Sequence, residues 1–273
     1  DMQKMANERV WEPNTKYSVL TSEFVLADEF FRGSSYIQNS MLGAMNERVV
    51  HYENKRYDVP LRMLVAGSNT WPVGEGFAEC GAIFDRFLIR VSMKPVSNAH
   101  WEELLTKQLP AVPQSLTLQD VDDASDEAMK LPLPKETVKA YLDILEELKG
   151  NGIVLGDRRI RHSVDVVKAS AWMAGSPEVL PLHLEPLKDV LWEDPIEHPK
   201  KAAGIVMKIA NPVGSQIADI LNEVAQILDA AGEDLPKRMA AIKKLDEQGK
   251  KLSGLTASGN GRAAKALKYV KHQ

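Results

Sequence analysis

A single cysteine, Cys80, occurs in 273 residues, so the chain can build neither an intramolecular disulfide nor a cysteine-based zinc site. This usage fits a reducing compartment, and a cytoplasmic location is expected. No apolar run approaches the roughly 20 residues that span a bilayer, and no basic-then-apolar pattern opens the sequence, so neither insertion nor export is expected. Charge of one sign is also lacking: 34 basic residues stand against 38 acidic ones, a net charge of −4, which argues against a general nucleic-acid binder. The six histidines, His51, His100, His162, His183, His198 and His272, have no metal-ligand spacing among themselves or with Cys80.

What is present is an ordinary globular composition, 44% hydrophobic and 26% charged, arranged in two styles. In the first third, short apolar runs end abruptly at polar residues. Phe24-Val25-Leu26-Ala27 stops at Asp28-Glu29, Arg62-Met63-Leu64-Val65-Ala66 stops at Gly67-Ser68-Asn69, and Phe87-Leu88-Ile89-Arg90-Val91 forms a third run. These read as buried parallel strands. An amphipathic helix follows the first run and ends near Asn46-Glu47-Arg48. Val49-Val50-His51-Tyr52 and Arg56-Tyr57-Asp58-Val59, about Glu53-Asn54-Lys55, read as a hairpin ended by Pro60. Strands alternating with helices imply a parallel α/β sheet.

From Ser97 onward the pattern is helical. A helix is expected over Ala99 to Leu109, then a polar, acidic link over Gln119 to Glu127. Pro134 stands where a first helical residue belongs, and Val138, Tyr141, Leu142, Leu145 and Leu148 form an apolar face before Gly150. Asp157 can cap a further helix with Ile160, Val164, Val167 and Ala171 on one face, and another follows near Leu184 to Trp192. Val206, Ile209, Val213, Ile217, Ile220, Val224 and Ile227 step by three or four across a kink or restart at Asn211-Pro212. A helix from Pro236 to Leu252 would pair with this stripe as a hairpin. Gly254 to Gly261 reads as a loop and Arg262 to Lys271 as a basic helical end.

Asp28-Glu29 after four apolar residues is the Walker B arrangement, in which one carboxylate holds the water shell of Mg²⁺ and the next polarises the attacking water. Asn69 puts an amide at the same carboxyl edge of the sheet, where ligands of open α/β folds gather. Arg86 precedes the third apolar run, and Arg158 and Arg159 lie in a helix's first turn, where cations oppose the macrodipole. Taken singly, the acids also read as solvated strand-end carboxylates, Asn69 as a turn former and Asp85-Arg86 as a surface pair. Their order along the chain is more specific than any one of them.

In that order the motifs resemble an AAA+ ATPase. Ala27-Asp28-Glu29, Met45-Asn46-Glu47-Arg48, Ala66-Gly67-Ser68-Asn69, Phe84-Asp85-Arg86-Phe87-Leu88-Ile89-Arg90 and Gly156-Asp157-Arg158-Arg159 are similar to the MoxR family, particularly its RavA-like branch, over roughly residues 15 to 195. The resemblance implies Walker B roles for Asp28, the Mg²⁺ residue, and Glu29. It further implies sensor 1 for Asn69, a trans-acting arginine finger for Arg86 and sensor 2 for Arg158, with Arg159 the near alternative. ATP and Mg²⁺, a homo-oligomeric, hexameric ring, and a protein client or von Willebrand A protein partner are implied likewise.

One element of every such enzyme is missing from these residues. No Gly-x-x-x-x-Gly-Lys-Ser/Thr occurs: Gly76 to Gly81 has the glycine spacing but Ala82 where lysine is needed, and Gly249-Lys250 lacks both the preceding glycine and a following hydroxyl. With the opening residue Asp1, this leads to the expectation of further sequence upstream carrying the P-loop. The expected fold is α/β: residues 1–95 as part of an AAA+ core with a parallel sheet, 96–195 as an all-α lid, and 196–273 as a C-terminal helical extension. An ATP-driven chaperone or remodeller of protein complexes is the expected function. The alternatives are a helicase-like nucleic-acid motor, which the acidic balance disfavours, and a non-catalytic assembly or scaffold protein.

Overall fold

The computed structural model describes residues 18–33, 35–52, 55–72, 75–108, 116–231, 235–256 and 261–271. It divides into two compact units, Asp1–Arg90 and Val91–Gln273.

In the first unit, β1 (Phe24–Ala27) and β4 (Met63–Ala66) pair in parallel, with Phe24 opposite Met63 and Ala27 opposite Ala66. Between them in sequence lie helix α1 (Ser35–Asn46) and an antiparallel hairpin, β2 (Val49–Tyr52) with β3 (Lys55–Asp58). The hairpin's expected centre at 53–54 lies outside the described residues. Alternation along β1 and β4 turns Val25, Ala27, Leu64 and Ala66 to the same, partly buried face, where Val25 and Leu64 meet a cluster of Ala44, Val59 and Leu61. Ala27 and Ala66 pack instead against Phe30, Cys80 and Ile83. Helix α2 (Glu75–Phe84) packs on α1, so the glycine-spaced run Gly76 to Gly81 is helix and not a phosphate loop.

The third apolar run, Phe87 to Val91, is not a strand in the structure; it is irregular. A strand exists only through its ladder, and the ladders among the described residues are β1–β4 and β2–β3. Phe87 turns its ring onto Phe30 and Phe31, with centroids 5.4 and 5.8 Å away, while Ile89 and Val91 are exposed.

The second unit is helical: α3 (Trp101–Thr106), α4 (Leu118–Lys130), α5 (Lys135–Gly150), α6 (Asp157–Met173), α7 (His198–Ala210), α8 (Pro212–Ala231), α9 (Leu235–Thr256) and α10 (Gly261–Lys271). A 3-10 segment, Pro181–Asp189, sits between α6 and α7 and packs on α5, α6 and α7. Ile144, Leu148, Val167, Ala171, Leu184, Leu187, Trp192 and Val206 are buried in this part. Farther along, Ile217, Ile220, Val224, Leu245, Leu252, Ala266 and Val270 join α8, α9 and α10 in one cluster. The break at Asn211-Pro212 falls between α7 and α8, where Asn211 accepts from the Gly214 N–H at 2.8 Å and so starts the second helix.

Several expectations change here. Residues 254–256, expected as loop, close α9, with 257–260 outside the described residues, and the helix expected near Leu184 to Trp192 is the 3-10 segment Pro181–Asp189. The acidic stretch Gln119 to Glu127 is not a link but lies inside α4. A reciprocal capping box starts that helix: Asp120 N donates to Thr117 Oγ1 at 3.2 Å, and Thr117 N donates to Asp120 Oδ2 at 2.7 Å. Of the helix expected over Ala99 to Leu109, α3 covers Trp101–Thr106, residues 107–108 are irregular, and residue 109 lies outside the described residues. In α5 the buried face is Thr137, Tyr141, Ile144 and Leu148, which leaves Val138 and Leu142 more exposed.

Candidate functional site

The carboxyl ends of β1 and β4 lie side by side because the strands are parallel and in register, which brings residues forty positions apart together. Gly67 N donates to Ala27 O at 2.9 Å, and Phe30 N donates to Gly67 O at 3.1 Å, so the two strand exits are stitched by backbone. A short 3-10 turn, Phe30–Arg32, follows. Glu29, between strand and turn, has φ 49° and ψ 36°, the left-handed region that a residue with a Cβ seldom adopts. Phe30 is buried and its ring meets Phe31 and Phe87 edge-on, which anchors the turn that carries Glu29.

On this frame Asn69 Nδ2 donates to Glu29 Oε1. Arg32 Nε stands 3.3 Å from Glu29 Oε2. Asp28 is exposed, and its Oδ1 accepts from Glu29 N at 3.0 Å. A Cβ on Gly67 would lie 3.3 Å from Asp28 Oδ1, so the glycine allows close approach of that carboxylate to the neighbouring strand exit. Asp28, Glu29 and Asn69 thus converge as the sequence implied. Arg32 and Gly67 were not singled out from the sequence, although Arg32 stands one 3-10 turn beyond Glu29, a spacing that places two side chains together.

Arg86 lies just beyond α2. Its Nη1 is 3.5 Å from Asp85 Oδ2, and the same aspartate lies 3.7 Å from Arg90 Nη2. Arg90 is buried, stacked 4.1 Å above the Phe84 ring, and donates to Phe87 O at 2.9 Å. Asp85 therefore joins two arginines of different character: Arg90 serves packing, whereas Arg86 keeps partial exposure.

In the second unit the two adjacent arginines separate cleanly. Arg159 is buried, with Nη1 donating to Val190 O at 2.9 Å and Nε 3.9 Å from Glu193 Oε1. Arg158 is exposed at the first turn of α6. A cation in that turn opposes the helix dipole; Arg159 recovers this through its carbonyl partner, while Arg158 lies at an exposed position.

Among the described residues no group of three or more metal-ligating side chains occurs. The donor set still suits Mg²⁺ in a nucleotide site, because that ion keeps several waters and takes one or two carboxylates together with substrate phosphates. Asp28, exposed at the strand edge, offers that carboxylate.

Two family models match. Residues 1–126 match the MoxR domain of the MoxR-vWA-beta-propeller ternary systems, and residues 136–205 match an AAA lid domain. Two uncharacterized proteins of Methanocaldococcus jannaschii are similar. One is 30% identical over 237 residues, covering 86% of this chain and 59% of the relative; the other is 29% identical over 202 residues, covering 73% and 52%. The chain spans between half and three fifths of the length of these curated relatives. A crystal structure from Cytophaga hutchinsonii ATCC 33406, of a protein provisionally described as an ATPase, superposes with a TM-score of 0.54 at 18% identity, covering 70% of this chain and 66% of that one. Strand-edge acids, the lid helices and these matches agree: residues 1–126 are similar to a MoxR domain, and the fold is that of a partial AAA+ core followed by an α-helical lid.

Proposed function

We propose that these residues form the later part of the ATP-hydrolysing module of a MoxR-type AAA+ ATPase of the RavA-like branch, whose P-loop comes from residues outside the 273. The observation that carries this reading is the Asn69 amide on the Glu29 carboxylate at the ends of two parallel strands. Nucleotides bind at that edge in open α/β sheets. Asp28 would hold the water shell of Mg²⁺, which would neutralise charge on the phosphates. Glu29 takes the proton of the attacking water as its oxygen bonds to the γ-phosphorus and the bond to the bridging oxygen of ADP breaks. Asn69 orients the water or a phosphate oxygen. Arg86 serves a neighbouring subunit's site as the arginine finger, and Arg158, the exposed member of its pair, is sensor 2.

In this reading residues 1–95 belong to the core, 96–195 to the lid, and 196–273 to a C-terminal extension, in a cytoplasmic hexameric ring that remodels protein complexes. The matching model's description, with its MoxR-vWA-beta-propeller systems, supports a von Willebrand A protein as partner. No described helix is long and apolar enough to cross a membrane.

The test is phosphate release from ATP by the full natural gene product beside the 273-residue piece, each with its Glu29→Gln variant. Turnover by the natural product, abolished by the substitution, is expected. Absence of turnover in every sample favours a non-catalytic assembly protein instead.

A further inference from the structure

Two surfaces of the helical unit complement each other in polarity and in charge. Helices α7, α8 and α10 border an open groove of about 660 Å³, lined by Met207, Ile217, Ala218, Leu221 and Tyr269 among others. Its floor is apolar and its surroundings are basic. Lys208 follows Met207 and Lys268 precedes Tyr269, and both lysines are exposed. Residues 235–273 hold ten Lys and Arg against two Asp and Glu, in a chain whose net charge is −4. An apolar floor beside cations selects an amphipathic helix that carries carboxylates.

Helix α4 has that character, with five acids and one lysine. One side of it is fixed to α6: Ala128 is buried, Lys168 Nζ donates to Met129 O at 2.6 Å, and Trp172 Nε1 donates to Glu127 Oε2 at 2.9 Å. Leu118, Val121, Ser125 and Met129 recur at helical spacing along another side, and the three apolar members of that stripe are exposed. Asp122 and Asp126, four and eight positions after Leu118, border the stripe. Both the stripe and the groove stay open while α4 is packed on α6, so the two surfaces are available to different molecules.

From this complementarity, and resting on the ring proposed above, we propose that α4 of one copy docks in the α7–α8–α10 groove of the next copy. Leu118, Val121 and Met129 meet the apolar floor, and Asp122 and Asp126 face Lys208 and Lys268. The contact joins two different surfaces, so each copy gives its α4 on one side and offers its groove on the other. Repetition of such a head-to-tail contact closes into a ring when the rotation allows. The apolar stripe supplies the attraction, and the charges set the register and exclude copies docked the wrong way round.

The test is sedimentation velocity of the full natural gene product with ATP over a series of protein concentrations. Ala218→Glu, at an exposed position in the groove lining, sets a carboxylate against the docked aspartates. It should raise the concentration for half-assembly by about tenfold or more. Asp122→Lys with Asp126→Lys, and separately Lys208→Glu with Lys268→Glu, should each raise it about tenfold, because like charges then face each other. All four changes in one chain should bring assembly back close to the wild-type concentration, a recovery that loss of folding cannot produce. Should a double variant melt early, Asp126→Lys and Lys268→Glu, alone and combined, repeat the swap. Wild-type assembly by folded Ala218→Glu overturns the proposal and leaves the ring reading standing. A fourfold variant no better than the doubles also overturns it and assigns the lysines to a different acidic partner. If the wild-type protein stays monomeric, the docking and the ring both fall.

Discussion

Asn69 and Glu29, forty residues apart in the chain, share a hydrogen bond at the exit of two parallel strands. The amide can turn to a phosphate oxygen or a water without leaving the edge, and the carboxylate is then positioned to take a proton. Glu29→Gln keeps the shape and the hydrogen bond but removes the base of the proposed mechanism. Turnover is expected to fall by about 10²- to 10⁴-fold, with ATP still bound, measured by phosphate release and by a fluorescent nucleotide. Asn69→Ala loosens Glu29 and also removes the proposed phosphate donor; the second effect is expected to dominate, with turnover lower by about 100-fold.

Arg158 and Arg159 give a second contrast, between neighbours in sequence. Arg159 is buried against Val190 O and Glu193, and its removal leaves a buried carbonyl without that donor. Arg159→Ala should destabilise the folded chain by about 2–3 kcal/mol in urea unfolding. Arg158→Ala, at an exposed position, should change stability by less than about 0.5 kcal/mol yet weaken turnover of the natural gene product. The reverse pattern would transfer the sensor 2 role to Arg159.

Period and punctuation made much of this fold legible. The strand-end acids, the helix break at Asn211-Pro212 and the hairpin at Val49 were all readable because each depends on residues close in sequence. Phe87 to Val91 was misread because a strand depends on its neighbour as much as on its own apolar pattern; here the pull of Phe87 onto Phe30 and Phe31 is visible only in space. The stretch from Gln119 is the opposite case: its acidity suggests a link, but a local signal, Thr117 three residues before Asp120, caps a helix there. The proximity of Asp28, Glu29 and Asn69 at the strand exits is the part of the candidate site that motif order implies. Arg32 was passed over because a single arginine after a motif has no meaning until the turn bringing it to Glu29 is known.

His183 predicts how the helical unit responds to acid. Burial pushes its imidazole below the ordinary value, against a smaller upward pull from Glu185. Its Nδ1 accepts from Leu180 N at 3.0 Å, which requires that nitrogen to be unprotonated. The unfolded chain therefore gains a proton first as pH falls. The stability contributed is complete above the unfolded pKa of about 6.5 and is lost as pH drops through the lower folded value. The melting temperature should decline between pH 7.5 and 5.5, and His183→Gln should flatten that decline. An equal decline in the variant would assign the pH response to other groups.

Thr137 and Val179 join α5 to the chain beyond α6 through one buried contact. Thr137 Oγ1 donates to Val179 O at 2.6 Å, and Val179 N donates to Pro132 O at 3.0 Å, so the segment before the 3-10 turn is tied at both of its polar groups. Thr137→Val keeps the volume but leaves a buried carbonyl without its donor, which should destabilise by about 1–3 kcal/mol. Thr137→Ser keeps the donor and removes one methyl group, a loss of about 1 kcal/mol. Urea unfolding of the two variants separates hydrogen bonding from packing. If serine proves the more damaging, the methyl contact rather than the hydroxyl holds this junction.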